Sequence, residues 1–84
     1  MEKLLELVVK SIVQRPKKIK IEKETVPADR QEKEGFVNFR LKVDPEDLKI
    51  VIGKRGRTIR AIRNLLRLRA IKEGIRVNLE LEES

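Results

Sequence analysis

Two stretches of strict alternation bracket the second half of this 84-residue chain, and the interval between them decides how it can fold. Val37, Phe39, Leu41 and Val43 alternate with Asn38, Arg40 and Lys42. Ile75, Val77, Leu79 and Leu81 alternate with Arg76, Asn78, Glu80 and Glu82. A period of two predicts a strand with one buried face in each case. The interval reads as helical and contains two helices, which is long enough to return the second strand parallel to the first.

The first of these helices has a strong start at Asp44-Pro45-Glu46-Asp47. Asp44 is a good N-cap, Pro45 fits the first helical position, and Asp47 sits three residues beyond the cap. Leu48, Val51 and Ile52 give this short helix an apolar side, and Gly53 stops it. The second helix runs from about Arg57 to Glu73, with Ile59, Ile62, Leu66 and Ala70 as its inner stripe and Gly74 as its C-cap.

Upstream, Leu4, Leu5, Val8, Val9 and Ile12 recur at helical spacing, which predicts three to four turns ended by Pro16. Ile19 and Ile21 alternate with Lys18, Lys20 and Glu22, a short strand that can pair antiparallel with Val37–Val43. Between them Pro27 to Gly35 is polar apart from Ala28, and reads as a mobile connection. The expected order is αββααβ: an α+β fold whose three-stranded mixed sheet is covered on one face by three helices. Its other face would carry Asn38, Arg40, Lys42, Arg76, Asn78 and Glu80. At this length residues 1–84 form one domain with one core.

The chain has no Cys and no His. That removes disulfides, thiolate metal sites and the commonest general base, so an enzyme is not expected, and neither is a metal or other cofactor. No hydrophobic run approaches a membrane span and no signal-peptide pattern opens the sequence, so a cytoplasmic location is expected. The net charge is +7. Residues 53–72 hold eight basic side chains and no acid, which leaves the other 64 residues at −1. Basicity confined to one segment is the footprint of a surface for a polyanion.

That segment opens with Gly53-Lys54-Arg55-Gly56. The two glycines let the backbone turn sharply and be approached closely. A helix beginning at Gly56 or Arg57 would aim its unpaired N–H groups and the positive end of its dipole into the turn. Lys54, Arg55 and Arg57 add full charges there, and Arg60, Arg63 and Arg67 continue along one face at three- and four-residue spacings. A bare Gly-x-x-Gly can also be no more than a tight turn joining two helices.

The run Val51-Ile52-Gly53-Lys54-Arg55-Gly56-Arg57-Thr58-Ile59, set in this order of elements, resembles the KH domain, and specifically its bacterial-type (type II) topology. The resemblance covers nearly the whole chain. More narrowly, a stand-alone chain with Ile-Gly-Lys-Arg-Gly-Arg-Thr-Ile-Arg-Ala-Ile-Arg resembles the KhpA family of small bacterial KH proteins. The resemblance implies binding of single-stranded RNA or DNA over about four nucleotides. It also implies dimerisation, partnership with a second KH protein (KhpB-like), and a post-transcriptional or RNA-chaperone role tied to cell division, elongation and cell shape.

Transferred by motif position, Gly53 and Gly56 become the loop glycines, and Lys54 and Arg55 the variable positions. Val51 and Ile52, with Ile59 and Ile62 beyond the loop, become the apolar floor and its support. Plain core packing is the other reading of those four. No aromatic lies near the loop, so bases would be held by phosphate contacts, apolar contact and edge hydrogen bonds rather than by stacking on a ring. The alternative to nucleic-acid binding is a protein-interaction adaptor that reuses the fold. Ala61, Leu65 and Leu68 form a second apolar side of the long helix, to be covered either by the first helix or by a dimer partner.

Overall fold

The structure, a computed structural model, describes residues 1–27 and 35–84. Its elements are α1 (Glu2–Ile12), β1 (Lys20–Val26), β2 (Gly35–Val43), α2 (Leu48–Ile52), α3 (Arg57–Glu73) and β3 (Ile75–Glu83). Single 3-10 turns lie at Pro16–Lys18, Pro45–Asp47 and Lys54–Gly56. The strand order is β1-β2-β3, with β1 antiparallel and β3 parallel to the central β2. This is the expected mixed sheet, with the expected α+β arrangement of a type II KH fold. Most of the connection read as mobile, residues 28–34, lies outside the described residues.

The core follows the alternation. Phe39, Leu41 and Val43 of β2 are fully buried because the central strand is flanked on both edges. Leu5 and Val9 of α1, Val51 of α2, and Ile59, Ile62 and Leu66 of α3 meet them, with Leu79 from β3. Each such side chain contributes about 1.5–3 kcal/mol by leaving water. Edge strands are less covered: Ile75, Val77 and Leu81 are only half-buried, and β1 is exposed along nearly its whole length. β1 therefore extends to Val26, well past its two isoleucines, because its ladder with β2 holds it rather than burial.

Two local expectations are corrected. α1 stops at Ile12, not at Pro16, which instead opens a 3-10 turn. The reason lies 33 residues away. Asp47 is buried, and its carboxylate accepts the Gln14 N–H at 3.1 Å and the Arg15 N–H at 3.0 Å, pulling the chain out of helical register. Asp47 thus ties α1's exit to the β2–α2 junction instead of capping a helix. Asp44 does cap, accepting from the Glu46 N–H at 2.9 Å, but what it starts is a 3-10 turn, with α2 only from Leu48. The second correction is Ile52, which is exposed, as is Ile50; of the apolar side predicted for α2, Val51 alone is fully buried.

The sheet's open face is polar, as expected. Asn78 Nδ2 donates to Asn38 Oδ1 at 2.8 Å. Arg40, opposite Glu22 on β1 and Glu80 on β3, pairs with both and with Glu82 at 3.3–3.5 Å, and Lys42 reaches Glu22 at 3.0 Å. Hydrogen bonding and charge from Lys42, then charge from Arg40, hold the Glu22 carboxyl below its ordinary range, while Glu80 and Glu82 push the Arg40 guanidinium up.

Candidate nucleic-acid interface

The loop is made by backbone conformations that few residues adopt. Gly53 ends α2 with its N–H on Lys49 O at 2.9 Å, at φ 76° and ψ 173°. A Cβ at Gly53 would sit 2.1 Å from Thr58 Oγ1 and 2.8 Å from the Thr58 nitrogen, so glycine is required twice over, by φ and by space. Arg55 (φ 56°, ψ 27°) and Gly56 (φ 74°, ψ 16°) are both left-handed, and Gly56 N–H closes the turn on Gly53 O at 3.1 Å. Arg55 is the one described non-glycine residue with positive φ. Its strain aims two successive side chains, Lys54 and Arg55, outward, and both are exposed.

α3 begins at once after Gly56. No side chain caps its N-terminus and no acid lies in its first turn. Its positive dipole end therefore faces the loop without compensation. Arg60, expected as a direct contact, spends two of its donors on the loop itself: Nη2 on Arg55 O at 2.8 Å and Nε on Gly56 O at 3.3 Å. It fixes the left-handed turn and replaces two carbonyl dipoles with a cation. Among the described residues Lys54, Arg55 and Arg57 make no side-chain hydrogen bond or ion pair, and Arg57 is exposed like the other two.

The apolar residues sort into two groups. Val51 is fully buried, with Ile59 and Ile62 nearly so; they support the loop from below. Ile52, exposed beside Gly53, is the one apolar side chain of that set able to touch a ligand.

Farther along α3 a groove lies between it and β3. Its narrow part is lined by Arg63, Leu66 and Arg67 of α3 against Val77, Asn78 and Leu79 of β3. It widens into a recess of about 390 Å³ among Arg67, Ala70, Ile71, Ile75, Arg76 and Val77. Sequence reasoning placed Arg63 and Arg67 on the basic face but did not bring them to a site. Arg76 was assigned to the sheet's open face, and only the crossing of α3 over β3 brings it to this recess. The groove offers positive charge and apolar walls with no aromatic ring, a chemistry suited to an unpaired polyanionic strand. Among the described residues no three or more carboxylates gather to hold a metal ion.

The far side of α3 is not covered by α1. Leu65 and Leu68 are 43% and 65% exposed, and Ala61 is exposed with them. Arg69, on the same helix, pairs with Glu73 at 3.8 Å.

Three comparisons bear on this geometry. The family model described as KhpA/KhpB, KH domain, matches residues 2–81. RNA-binding protein KhpA of Clostridium acetobutylicum is 38% identical over 81 residues, covering 96% of this chain and 99% of that one. RNA-binding protein KhpA of Chlamydia pneumoniae is 35% identical, covering 99% and 97%. Among solved structures, Era in complex with MgGDPNP and nucleotides 1506–1542 of 16S ribosomal RNA superposes with a TM-score of 0.67 at 22% identity. That match covers 96% of this chain and 28% of Era, and is a likeness of fold alone. With the family match spanning almost its entire length, the chain belongs to the KhpA/KhpB KH-domain family.

Proposed function

We propose that this protein binds single-stranded RNA, seating the sugar–phosphate strand on the Gly53–Gly56 loop and laying the bases along the α3–β3 groove. The observation that carries this reading is the loop's left-handed backbone at an uncapped helix start, with Lys54, Arg55 and Arg57 exposed around it. The proteins it resembles are named RNA-binding, and the KH-domain family to which it belongs is not enzymatic. Ile52 offers apolar contact at the loop, and Arg60 acts mainly by holding the loop's shape. Without ring stacking, affinity is modest and salt-sensitive, because each neutralised phosphate releases counterions.

Assembly belongs to the same proposal. The uncovered Ala61, Leu65 and Leu68 on α3 support pairing with a second copy or with a KhpB-like KH protein, which would set two loops side by side. A cytoplasmic post-transcriptional regulator or RNA chaperone is the role these features fit, and no helix among the described residues is long and apolar enough to cross a membrane.

The test is Lys54→Asp with Arg55→Asp, folding verified by circular dichroism. A folded double variant should lose RNA binding by about 100-fold or more, since several phosphate contacts fail together. Unchanged affinity would remove the mechanism.

A further inference from the structure

Two helices hold the Gly53–Gly56 loop, and they are unequal. Behind it α3 runs for 17 residues and sinks Ile59, Ile62, Leu66 and Ala70 into the core. Arg63 docks it to β3, with Nε and Nη2 shared on Leu79 O at 3.4 and 3.3 Å. In front lies α2, with five residues and one fully buried side chain, Val51. A helix of that length does not hold itself together in water. It also has a 3-10 turn at each end, Pro45–Asp47 and Lys54–Gly56. Whatever fixes the start of α2 therefore fixes the loop, roughly 9 Å further along its axis.

Asp47 stands at that start. It is 1% exposed, and each carboxylate oxygen takes one backbone N–H of the link between α1 and β1. Oδ1 accepts from Gln14 at 3.1 Å and Oδ2 from Arg15 at 3.0 Å. Hydrogen bonds to a buried carboxylate are charge-assisted and shielded from water, so they tie more firmly than the exposed Arg15–Glu46 ion pair beside them. The clamp uses only main-chain donors of the link, which persist whatever side chains stand at 14 and 15, proline excepted.

We infer that Asp47 is a positioning residue for RNA binding: by clamping the entry of α2 to the α1–β1 link it holds the Gly53–Gly56 loop ready for the strand, without touching RNA itself. This rests on the loop being the RNA seat. With the clamp open, α2 is held mainly by Val51, and the loop leaves its left-handed turn more often. Affinity then falls by the fraction of molecules that still present the turn. The coupling runs both ways, so RNA that needs the closed clamp must close it in return. Charge separates this role from a direct one. Asp47 is an acid close to a surface for a polyanion, and removing it raises the net charge by one. The long-range field alone would then tighten RNA binding. Positioning gives the opposite sign.

The experiment reads octauridine binding by fluorescence anisotropy at one salt concentration, at a temperature where circular dichroism shows each protein folded. The proteins are the unaltered chain, Asp47→Asn, Arg15→Ala, Val37→Ala, and Lys54→Asp with Arg55→Asp. Asp47→Asn keeps the shape but has one acceptor oxygen, so one of the two N–H groups meets an amide donor instead. It should weaken binding about tenfold, the scale of one charge-assisted hydrogen bond lost. Arg15→Ala removes the ion pair and keeps the N–H, and should stay within about twofold. Val37→Ala truncates the core about 20 Å along β2 from Val43, and should lose stability while binding within about twofold. Asp47→Asn binding as tightly as the unaltered protein, or more tightly, overturns the inference. So does an equal loss in Val37→Ala, which would make the effect one of general stability, or in Arg15→Ala, which would assign it to the ion pair. Should Asp47→Asn fail to fold, the unaltered protein decides. Hydrogen exchange of the Gln14 and Arg15 amides should slow when octauridine saturates the loop, and unchanged exchange there overturns the inference. If the loop double variant still binds octauridine, the RNA seat is wrong and the inference falls with it; the other adverse outcomes strike the inference alone.

Discussion

The open face of the sheet and the loop–α3 face are both rich in charge, yet they treat it in opposite ways. On the sheet, Glu22, Arg40, Lys42, Glu80 and Glu82 alternate in sign across three strands and neutralise one another at 3.0–3.5 Å. On the loop side, Lys54, Arg55 and Arg57 share one sign and have no acid among them. The cation nearest to them, Arg60, bonds to backbone oxygens rather than to a carboxylate. A count of charged side chains, without regard to sign, would credit both faces. Arrangement separates them: a self-cancelling lattice presents little field, whereas one-signed charges at a helix N-terminus add to its dipole. The sheet face is also a matter of side chains, while the loop face depends on backbone conformation.

The largest effect should come from attacking that backbone. Gly53→Ala must both hold φ at +76° and place a methyl group 2.1 Å from Thr58 Oγ1. We expect a loss of about 3 kcal/mol or more in urea unfolding, and loss of RNA binding in whatever remains folded. Gly56→Ala meets no atom within 4 Å and is strained by φ alone, so about 1 kcal/mol is expected. Equal costs at the two glycines would show that Thr58 does not wedge the loop. No removal of a single exposed charge on the sheet face should approach the Gly53 effect.

Next in size is a charge-matched pair of double variants. Lys54→Gln with Arg55→Gln, and Arg40→Gln with Lys42→Gln, each remove two positive charges. The loop pair should weaken octauridine binding by about 30-fold and flatten its salt dependence by about 1.4 in log–log slope. The sheet pair should stay within about twofold. If the two variants weaken alike in a binding titration, only net charge matters and the distinction between the faces fails.

How much of this could be read in advance depended on how local the cause was. α3 showed its full extent, Arg57–Glu73, because a long 3.6-residue period and a terminal Gly74 are written in consecutive residues. β2 did too, being the strand buried on one face along its whole length. α2 did not: a five-residue helix has no second turn to reveal its period, so Ile52 was placed inward and stands outward. Asp47 looked like part of a helix start because its real partners, Gln14 and Arg15, are over thirty residues away. The site divided in the same way. Its glycines and loop cations were legible as a motif, and Lys54 and Arg55 stand exposed on the loop. Arg60's hold on the loop and Arg63's reach to Leu79 depend on left-handed turns and on the crossing of α3 over β3, which no residue spacing states.

Arg55 allows a finer cut, because it joins charge to strain in one residue. Its φ of 56° costs about 1 kcal/mol for a side chain with a Cβ, and Gly would relieve most of that. Arg55→Gly should therefore raise stability by roughly 0.5–1 kcal/mol in thermal or urea unfolding while lowering RNA affinity about three- to tenfold. No position on the sheet face should show that trade, since none of its described residues is strained. A variant that gains stability and keeps full affinity would mean the Arg55 charge does not touch the strand.

The smallest effect separates the faces by acid. The Glu22 carboxyl sits below its ordinary value in the folded protein because Lys42, first, and Arg40 favour its charged form. A lowered folded pKa means the unfolded chain takes up the proton more readily. The stabilisation is therefore fully present above the ordinary value of 4.5 and is lost as pH falls through the depressed one. The group is exposed, so salt should screen much of the effect. Stability measured from pH 6 down to pH 3 should decline partly through this face, and Glu22→Gln should flatten that part of the curve at low salt while changing little above pH 5. Across the same range the loop face keeps its charge, because lysine and arginine alone supply it and no histidine or carboxylate lies between Gly53 and Lys72. A Glu22→Gln curve that falls in parallel with the unaltered protein would assign the acid sensitivity to other carboxylates and leave the sheet lattice energetically silent.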